Sequence, residues 1–315
     1  MIKHVIYLKK SGKMLQIDKR KGREVAKKLY KDFSTTGIHG KKEMPEDILP
    51  VGITQGSLEH LLFITFSVSI DYMRDANSLW ASSRKTYEDA NTNYLFSSKA
   101  LHETQLKQIS EDMAKYGLSK KFTKDAHIWR TIGVTFYKKW GGNPINFLED
   151  CSWDALTILR RLRSDTHPYS TRNVPDYPYL RGPKIGPLWL RMLRDNVGIT
   201  KIKNLEKVPI PVDRHIARAT LSTGVVHGIF SGTLNELFDN IRKAWFLSVE
   251  DLKVKDRPMI ALDVDEALWH LSKYGCGRYR DVETGCCKLR DKCEAGDFCV
   301  EGKIIIGENY MEVDT

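Results

Sequence analysis

Residues 208–220 read V-P-I-P-V-D-R-H-I-A-R-A-T, and the pattern is that of a helix start. Pro209 and Pro211 fix φ and remove two backbone donors, so the chain reaches Val212 in extended form. Asp213 then stands where an N-cap belongs, with His215, Ala217 and Arg218 in the first turns behind it. A capping aspartate is ordinarily structural. The same helix N-terminus keeps the carboxylate ionised, however, which equips it to stabilise a cation or to take a proton from an amine or water. Asp213 is therefore the first candidate for chemistry.

Upstream, residues 178–193 read P-Y-L-R-G-P-K-I-G-P-L-W-L-R-M-L. Gly182, Pro183, Gly186 and Pro187 interrupt the chain just ahead of an apolar helix. Glycine lets backbone N–H groups approach an anion, and the following helix N-terminus adds its dipole, so this segment could hold a phosphate. An ordinary helix-joining turn has the same composition. Further upstream, Ser57 is an N-cap candidate and Glu59 puts a carboxylate in the first turn of a long helix. Leu58, Leu61, Leu62, Ile64, Phe66, Val68 and Ile70 cover most of that helix's surface, which marks a buried core helix. Amphipathic segments near 99–116, 125–140, 153–163, 187–196, 212–223, 233–248 and 262–274 end in Gly, Pro or polar clusters. Alternating strand patterns are nearly absent after residue 20, so a mostly α protein is expected. Residues 1–56 read as a short N-terminal extension without an assignable role. It holds two strand-like pieces (5–8 and 14–17), a basic segment (19–31) and a Gly/Pro-rich stretch.

Downstream, five of the six cysteines crowd into C-G-R-Y-R-D-V-E-T-G-C-C-K-L-R-D-K-C-E-A-G-D-F-C, residues 276–299. Apolar residues are scarce there, so metal binding would have to supply the folding free energy. Four thiolates, Cys276, Cys287, Cys293 and Cys299, converge if Cys286 stays out; Cys286 could also replace Cys287. Structural zinc sites usually show two tight cysteine pairs, and none exists here. The wider single-ligand spacings suit a [4Fe-4S] cluster better, with zinc and disulfides as the alternatives. The apolar part of the N-terminus is short for a signal peptide, so a reducing cytoplasm is expected and disulfides are disfavoured.

With 315 residues the chain can bury a real core. The longest apolar run, near Leu61 to Ile70, is broken by Thr65, Ser67 and Ser69 and falls short of the about 18–20 residues of a membrane helix. A formal net charge of +10 attracts polyanions, nucleic acid above all, or serves solubility alone.

Taken in order, a glycine-containing hairpin, an apolar helix, P-V-D-R-H-I-A-R and a C-terminal four-cysteine cluster resemble the helix-hairpin-helix/GPD superfamily of DNA glycosylases, which includes endonuclease III, adenine glycosylase and archaeal 8-oxoguanine glycosylases. The likeness spans about residues 57–300, and Asp71, Tyr72, Ala76 and Leu79-Trp80 are similar to that family's opening segment. The resemblance implies a two-domain helical glycosylase architecture, here 1–56 as extension, 57–178 as helical barrel domain and 179–315 as hairpin, aspartate region and cluster loop. It also implies a monomer that excises a damaged or mismatched base from double-stranded DNA. Gly182, Ile185 and Gly186 would contact a DNA phosphate, Asp213 would be the catalytic carboxylate, and Cys276, Cys287, Cys293 and Cys299 would hold the cluster. Lys184 matches the sugar-attacking lysine of bifunctional members in one register; another register places Leu188 there and leaves a monofunctional enzyme. Trp129, Tyr137, Trp140, Tyr169 and Trp189 are candidates for the walls of the base pocket. The chain departs from the family in its irregular hairpin, in the long interval from Lys184 to Asp213 and in its cysteine spacing, so the damaged base is not implied. A metal-stabilised nucleic-acid-binding protein without catalysis is the alternative.

Overall fold

The computed structural model describes residues 5–10, 13–166 and 174–315; Tyr169 lies outside them. The protein is mostly helical. It divides into two compact units, residues 1–42 with 208–315, and residues 43–207, which differ from the expected divisions at 56 and 178.

The first unit begins with strands β1 (Val5–Lys10) and β2 (Lys13–Asp18) and helix α1 (Lys19–Thr35). Asp18 caps α1 by accepting a 2.8 Å bond from the Lys21 amide. The basic segment is thus helical, and its Gly22, Val25, Ala26 and Leu29 form one buried face.

The second unit holds helices α2 (Leu58–Ser69), α3 (Ala76–Glu88), α4 (Ser98–Glu103), α5 (Leu106–Lys115), α6 (Phe122–Trp140), α7 (Pro144–Asp150), α8 (Ala155–Ser164) and α9 (Ile185–Met192). Ser57 caps α2 as expected, accepting from the His60 amide at 3.2 Å. From His60 to Ser69 every residue of α2 is buried, so its hydroxyls need internal partners. Thr65 finds them in the Leu61 carbonyl (2.6 Å) and the Trp189 indole N–H (3.0 Å), which joins α2 to α9. Gly141, at φ 61°, ends α6 in a left-handed cap. A buried ion pair between Glu46 and Arg191 fastens the segment ahead of α2 to α9.

The first unit resumes with helix α10 (Arg214–Ser222), strand β3 (Val226–Thr233) and helix α11 (Leu234–Val249). A two-stranded hairpin, β4 (Lys253–Val254) with β5 (Arg257–Pro258), leads to α12 (Asp265–His270), which widens into a π-helical turn over Leu271–Cys276. After a single turn α13 (Gly277–Tyr279) and the cysteine loop, strands β6 (Lys303–Ile306) and β7 (Tyr310–Asp314) close the chain. The sheet order is β1-β2-β3-β7-β6, antiparallel throughout. Among the side chains described, Leu15, Ile17, Val226, Phe230, Ile304, Met311 and Val313 are buried in it.

This corrects the expected extension. Residues 5–35 form two strands of the sheet and a helix of the first unit, with Leu15, Ile17, Val25, Ala26 and Leu29 in its core and Ile17 opposite Val226. It also corrects the expected lack of strands after residue 20. Among the described residues, no helix is long and apolar enough to cross a membrane.

Candidate functional site

Asp213 has the predicted position. Its Oδ1 accepts from the amides of His215 (2.8 Å) and Ile216 (3.0 Å) at the start of α10, so two of that helix's orphan donors end on one carboxylate. Behind it, Ser272 Oγ lies 3.2 Å from His215 Nδ1 and accepts from Arg218 Nη1 at 3.3 Å, tying α10 to the π-helical turn. Burial lowers the affinity of the Arg218 guanidinium for its proton, and the nearby Asp213 carboxylate opposes that.

The far end of α10 meets the cysteine loop. Val300 donates its amide to the Ser222 carbonyl at 3.0 Å, and Arg280 donates Nε–H to Ser222 Oγ at 3.2 Å. Arg280 also donates to the carbonyls of Val300 (3.0 Å) and Gly302 (3.2 Å). It is therefore a strut of the loop, while Arg278, Lys288, Arg290 and Lys292 are exposed.

The structure brings Cys276, Cys287, Cys293 and Cys299 within electrostatic reach of one another. Burial pushes the Cys276 thiol up to about 12, and charge at Cys293, Cys299 and Cys287 pushes the same way. Burial likewise pushes Cys293 up to about 12, with Cys299, Glu294 and Cys287 adding to it. Cys286 is exposed. Thiols that are buried (Cys276) or part-buried and oppose each other's ionisation suit a cationic group that would replace their protons, and the guanidinium of Arg280 adds positive charge beside Cys276, Cys299 and Cys287. The donor set fits a metal centre. Among the described residues no three of these sulfurs lie within 4.8 Å of one another, whereas four around one tetrahedral zinc would be about 3.8 Å apart.

The hairpin belongs to the other unit. The Gly182 amide donates to the Tyr179 carbonyl at 2.9 Å, and the Gly186 amide donates to the Gly182 carbonyl at 3.1 Å. Of the three residues expected to face a phosphate, two, Gly182 and Gly186, thus have their amides engaged within the turn itself. Ile185 and Gly186 are buried, and a β-carbon on Gly186 would lie 2.9 Å from the Leu180 carbonyl oxygen. Close packing accounts for that glycine. Lys184 precedes α9 and points its amine at Asp71, 3.0 Å from Oδ2 and 3.3 Å from the carbonyl. Lys184 and Asp213 lie in different compact units.

Of the described aromatic candidates, Trp129 and Trp189 are fully buried core residues. Trp140 donates its indole N–H to the Tyr177 hydroxyl at 2.8 Å. Tyr137 alone among them lines the cavity of about 420 Å³ that opens beside Tyr87 and Phe96. Sequence reading gave no role to three residues that the fold makes prominent. Asp71 faces Lys184, and His39 with Glu294 lies against Cys293. The only signals were the glycines flanking Ile38-His39 and the carboxylate directly after Cys293.

No protein-family model matches the chain, and none of the curated proteins matches it significantly.

Proposed function

We propose that this protein is a DNA N-glycosylase of base excision repair, which flips a damaged or mismatched base from the duplex and cleaves its N-glycosidic bond. The observation that carries the reading is helix α10: Asp213 caps one end, and the cysteine loop grips the other through Ser222. As the C1′–N bond breaks, its electron pair leaves with the base and positive charge develops on the sugar; a fixed carboxylate stabilises that charge. Water then bonds to C1′ and gives up a proton, for which Asp213 is an acceptor. Cys276, Cys287, Cys293 and Cys299 would hold a [4Fe-4S] cluster, whose contribution is to fold the loop. The net charge of +10 supports phosphate contacts that weaken steeply with salt.

An added lyase step would use Lys184, whose amine must be uncharged to attack C1′; Asp71 is within reach to accept its proton. Because the Gly182 and Gly186 amides are engaged locally, the hairpin's part in this reading is to fix Lys184 at the head of α9.

The test is Asp213→Asn, assayed on duplexes bearing uracil, 8-oxoguanine, thymine glycol, hypoxanthine or alkylated bases. Asparagine caps helices as well as aspartate, so folding and DNA binding should survive while base release falls about a hundredfold or more. Undiminished base release in the variant removes the proposal. Borohydride trapping on abasic DNA tests the lyase step: an adduct that persists in Lys184→Ala excludes Lys184 as nucleophile.

A further inference from the structure

The N-terminal segment, silent in the sequence, ends against the cysteine loop. Ile38 and Lys41 exchange backbone hydrogen bonds of 2.9 and 3.0 Å around His39 and Gly40, whose φ angles of 52° and 69° give the two positive values of a type I′ turn. A histidine held there is strained. Lys41 docks the turn, its Nζ 4.8 Å from the centre of the Tyr274 ring, and just upstream Phe33 of α1 lies 5.3 Å from His270. A β-carbon on Gly275 would come 2.4 Å from His39 Nε2, so the glycine before Cys276 makes room for the imidazole.

Glu294 reaches the same turn from the cysteine loop. Its Oε1 accepts from the His39 amide at 2.8 Å, while its buried Oε2 has no hydrogen-bond partner among the described residues and lies 3.4 Å from His39 Nδ1. That separation matches the about 3.4 Å edge between a nitrogen and an oxygen ligand of one tetrahedral zinc. A ring nitrogen of His39, Cys293 Sγ and a carboxylate oxygen of Glu294 all lie within 4.8 Å of one another. A part-buried carboxylate and thiol side by side suit a cation, and a mixed N, S, O donor set suits a borderline divalent ion.

We propose that His39, Cys293 and Glu294 bind one zinc-class divalent cation, in a mononuclear site that shares Cys293 with the four-cysteine centre and so excludes a cluster held by all four cysteines. The exclusion rests on the cluster reading given above; the mononuclear site does not. Zinc there fastens the 38–41 turn to the cysteine loop, and a cluster in its stead leaves that turn held by the His39–Glu294 hydrogen bond, the Lys41–Tyr274 contact and packing. Which metal the protein carries then decides whether its N-terminal turn is cross-linked.

The experiment uses the full chain, purified from zinc-supplemented, iron-limited cultures and from iron-replete ones. Zinc and iron are measured by elemental analysis, and zinc is exchanged for Co²⁺ as an optical probe of tetrahedral, thiolate-containing coordination. Zinc should be present in the first preparation, weakened roughly tenfold or more by His39→Ala or Glu294→Gln, and retained in Cys276→Ser and Cys287→Ser. His39→Cys, which restores a ligand, should recover it, and circular dichroism checks that every variant is folded. Zinc that survives His39→Ala but is lost in Cys276→Ser would mean a four-cysteine zinc site and overturn the proposal, as would absence of zinc or failure of a folded His39→Cys variant to recover it. Iron and its broad visible absorbance in the iron-replete preparation should persist in His39→Ala. Absence of iron in wild type, with the zinc results as expected, removes the cluster and leaves the mononuclear site standing.

Discussion

Replacing Gly22 by alanine separates a solvated basic extension from an integral helix by the sign of one measurement. In an exposed helix the substitution stabilises by about 1 kcal/mol, because glycine gives up more backbone entropy on folding than alanine does. Here Gly22 faces α11. An added β-carbon would lie 2.0 Å from Ser248 Oγ, 2.8 Å from Ser248 Cβ and 3.1 Å from Val225 Cγ1. The hydroxyl can rotate away, although it now donates to the Ala244 carbonyl at 2.7 Å, but Cβ is one bond from the backbone and moves only if the helices separate. Overpacking of this kind costs about 1–3 kcal/mol, and clashes below 3.0 Å belong in the upper half of that range. The net expectation is a loss of about 1–2 kcal/mol, or a fall in Tm of about 2–8 °C for a unit of this size. Thermal unfolding of the full chain by circular dichroism reads it directly. Adding Ser248→Gly should make the double variant more stable than the sum of the two single losses by about 1 kcal/mol or more, because the sites couple only if they touch. A Tm that rises in Gly22→Ala would refute the packing of α1 on α11.

Two further outcomes follow from buried groups. His270 is fully buried, with no hydrogen-bond partner for either ring nitrogen among the described residues. Burial first, then the charges of Lys41 and His39, bring it from 6.5 down to about 4. Because the folded value is the lower one, the unfolded chain binds the proton first. Stability on this account is complete above pH 6.5 and declines as pH falls from 6.5 to about 4, by at most about 3 kcal/mol. Urea unfolding across that range should show the slope in wild type and a shallower one in His270→Phe; equal slopes would exclude His270 as its source. At the metal centre, Cys287→Ser should abolish the visible absorbance of iron-replete protein while Cys286→Ser keeps it, and the opposite result would exchange their roles.

The helices were legible because their signals are local. Ser57, the apolar run behind it and the Pro-Pro-Asp start at 209–213 each specify a helix within a few residues, and each helix forms where expected. The sheet was not, since its pairings are distant: β2 at residues 13–18 lies against β3 at 226–233, and β3 against β7 at 310–314. Strand β3, V-H-G-I-F-S-G-T, carries two glycines and a polar face between two strong helical patterns, so its own alternation is faint. The cysteine loop was legible in composition but not in choice. Only exposure and mutual charge single out Cys287 over the adjacent Cys286. Asp213 was found through its cap, a local property, whereas Asp71 and His39 gain their significance from partners 113 and 255 positions away.

Helix α10 links these observations. Its nine residues span about 13 Å, with Asp213 at one end and the loop's grip on Ser222 at the other. Along the way, Thr220 receives the Trp245 indole N–H at 2.8 Å, which anchors the helix to α11. Through α11 it is coupled to α1, whose Gly22 allows the close contact with Ser248. The carboxylate is therefore positioned by a rigid element that has three supports: the cysteine loop, α11, and the π-helical turn reached through His215 and Arg218. Each support can act on Asp213 through α10, by shifting or loosening that helix. The N-terminal segment that sequence alone left idle is in this way part of the frame that fixes the candidate catalytic group.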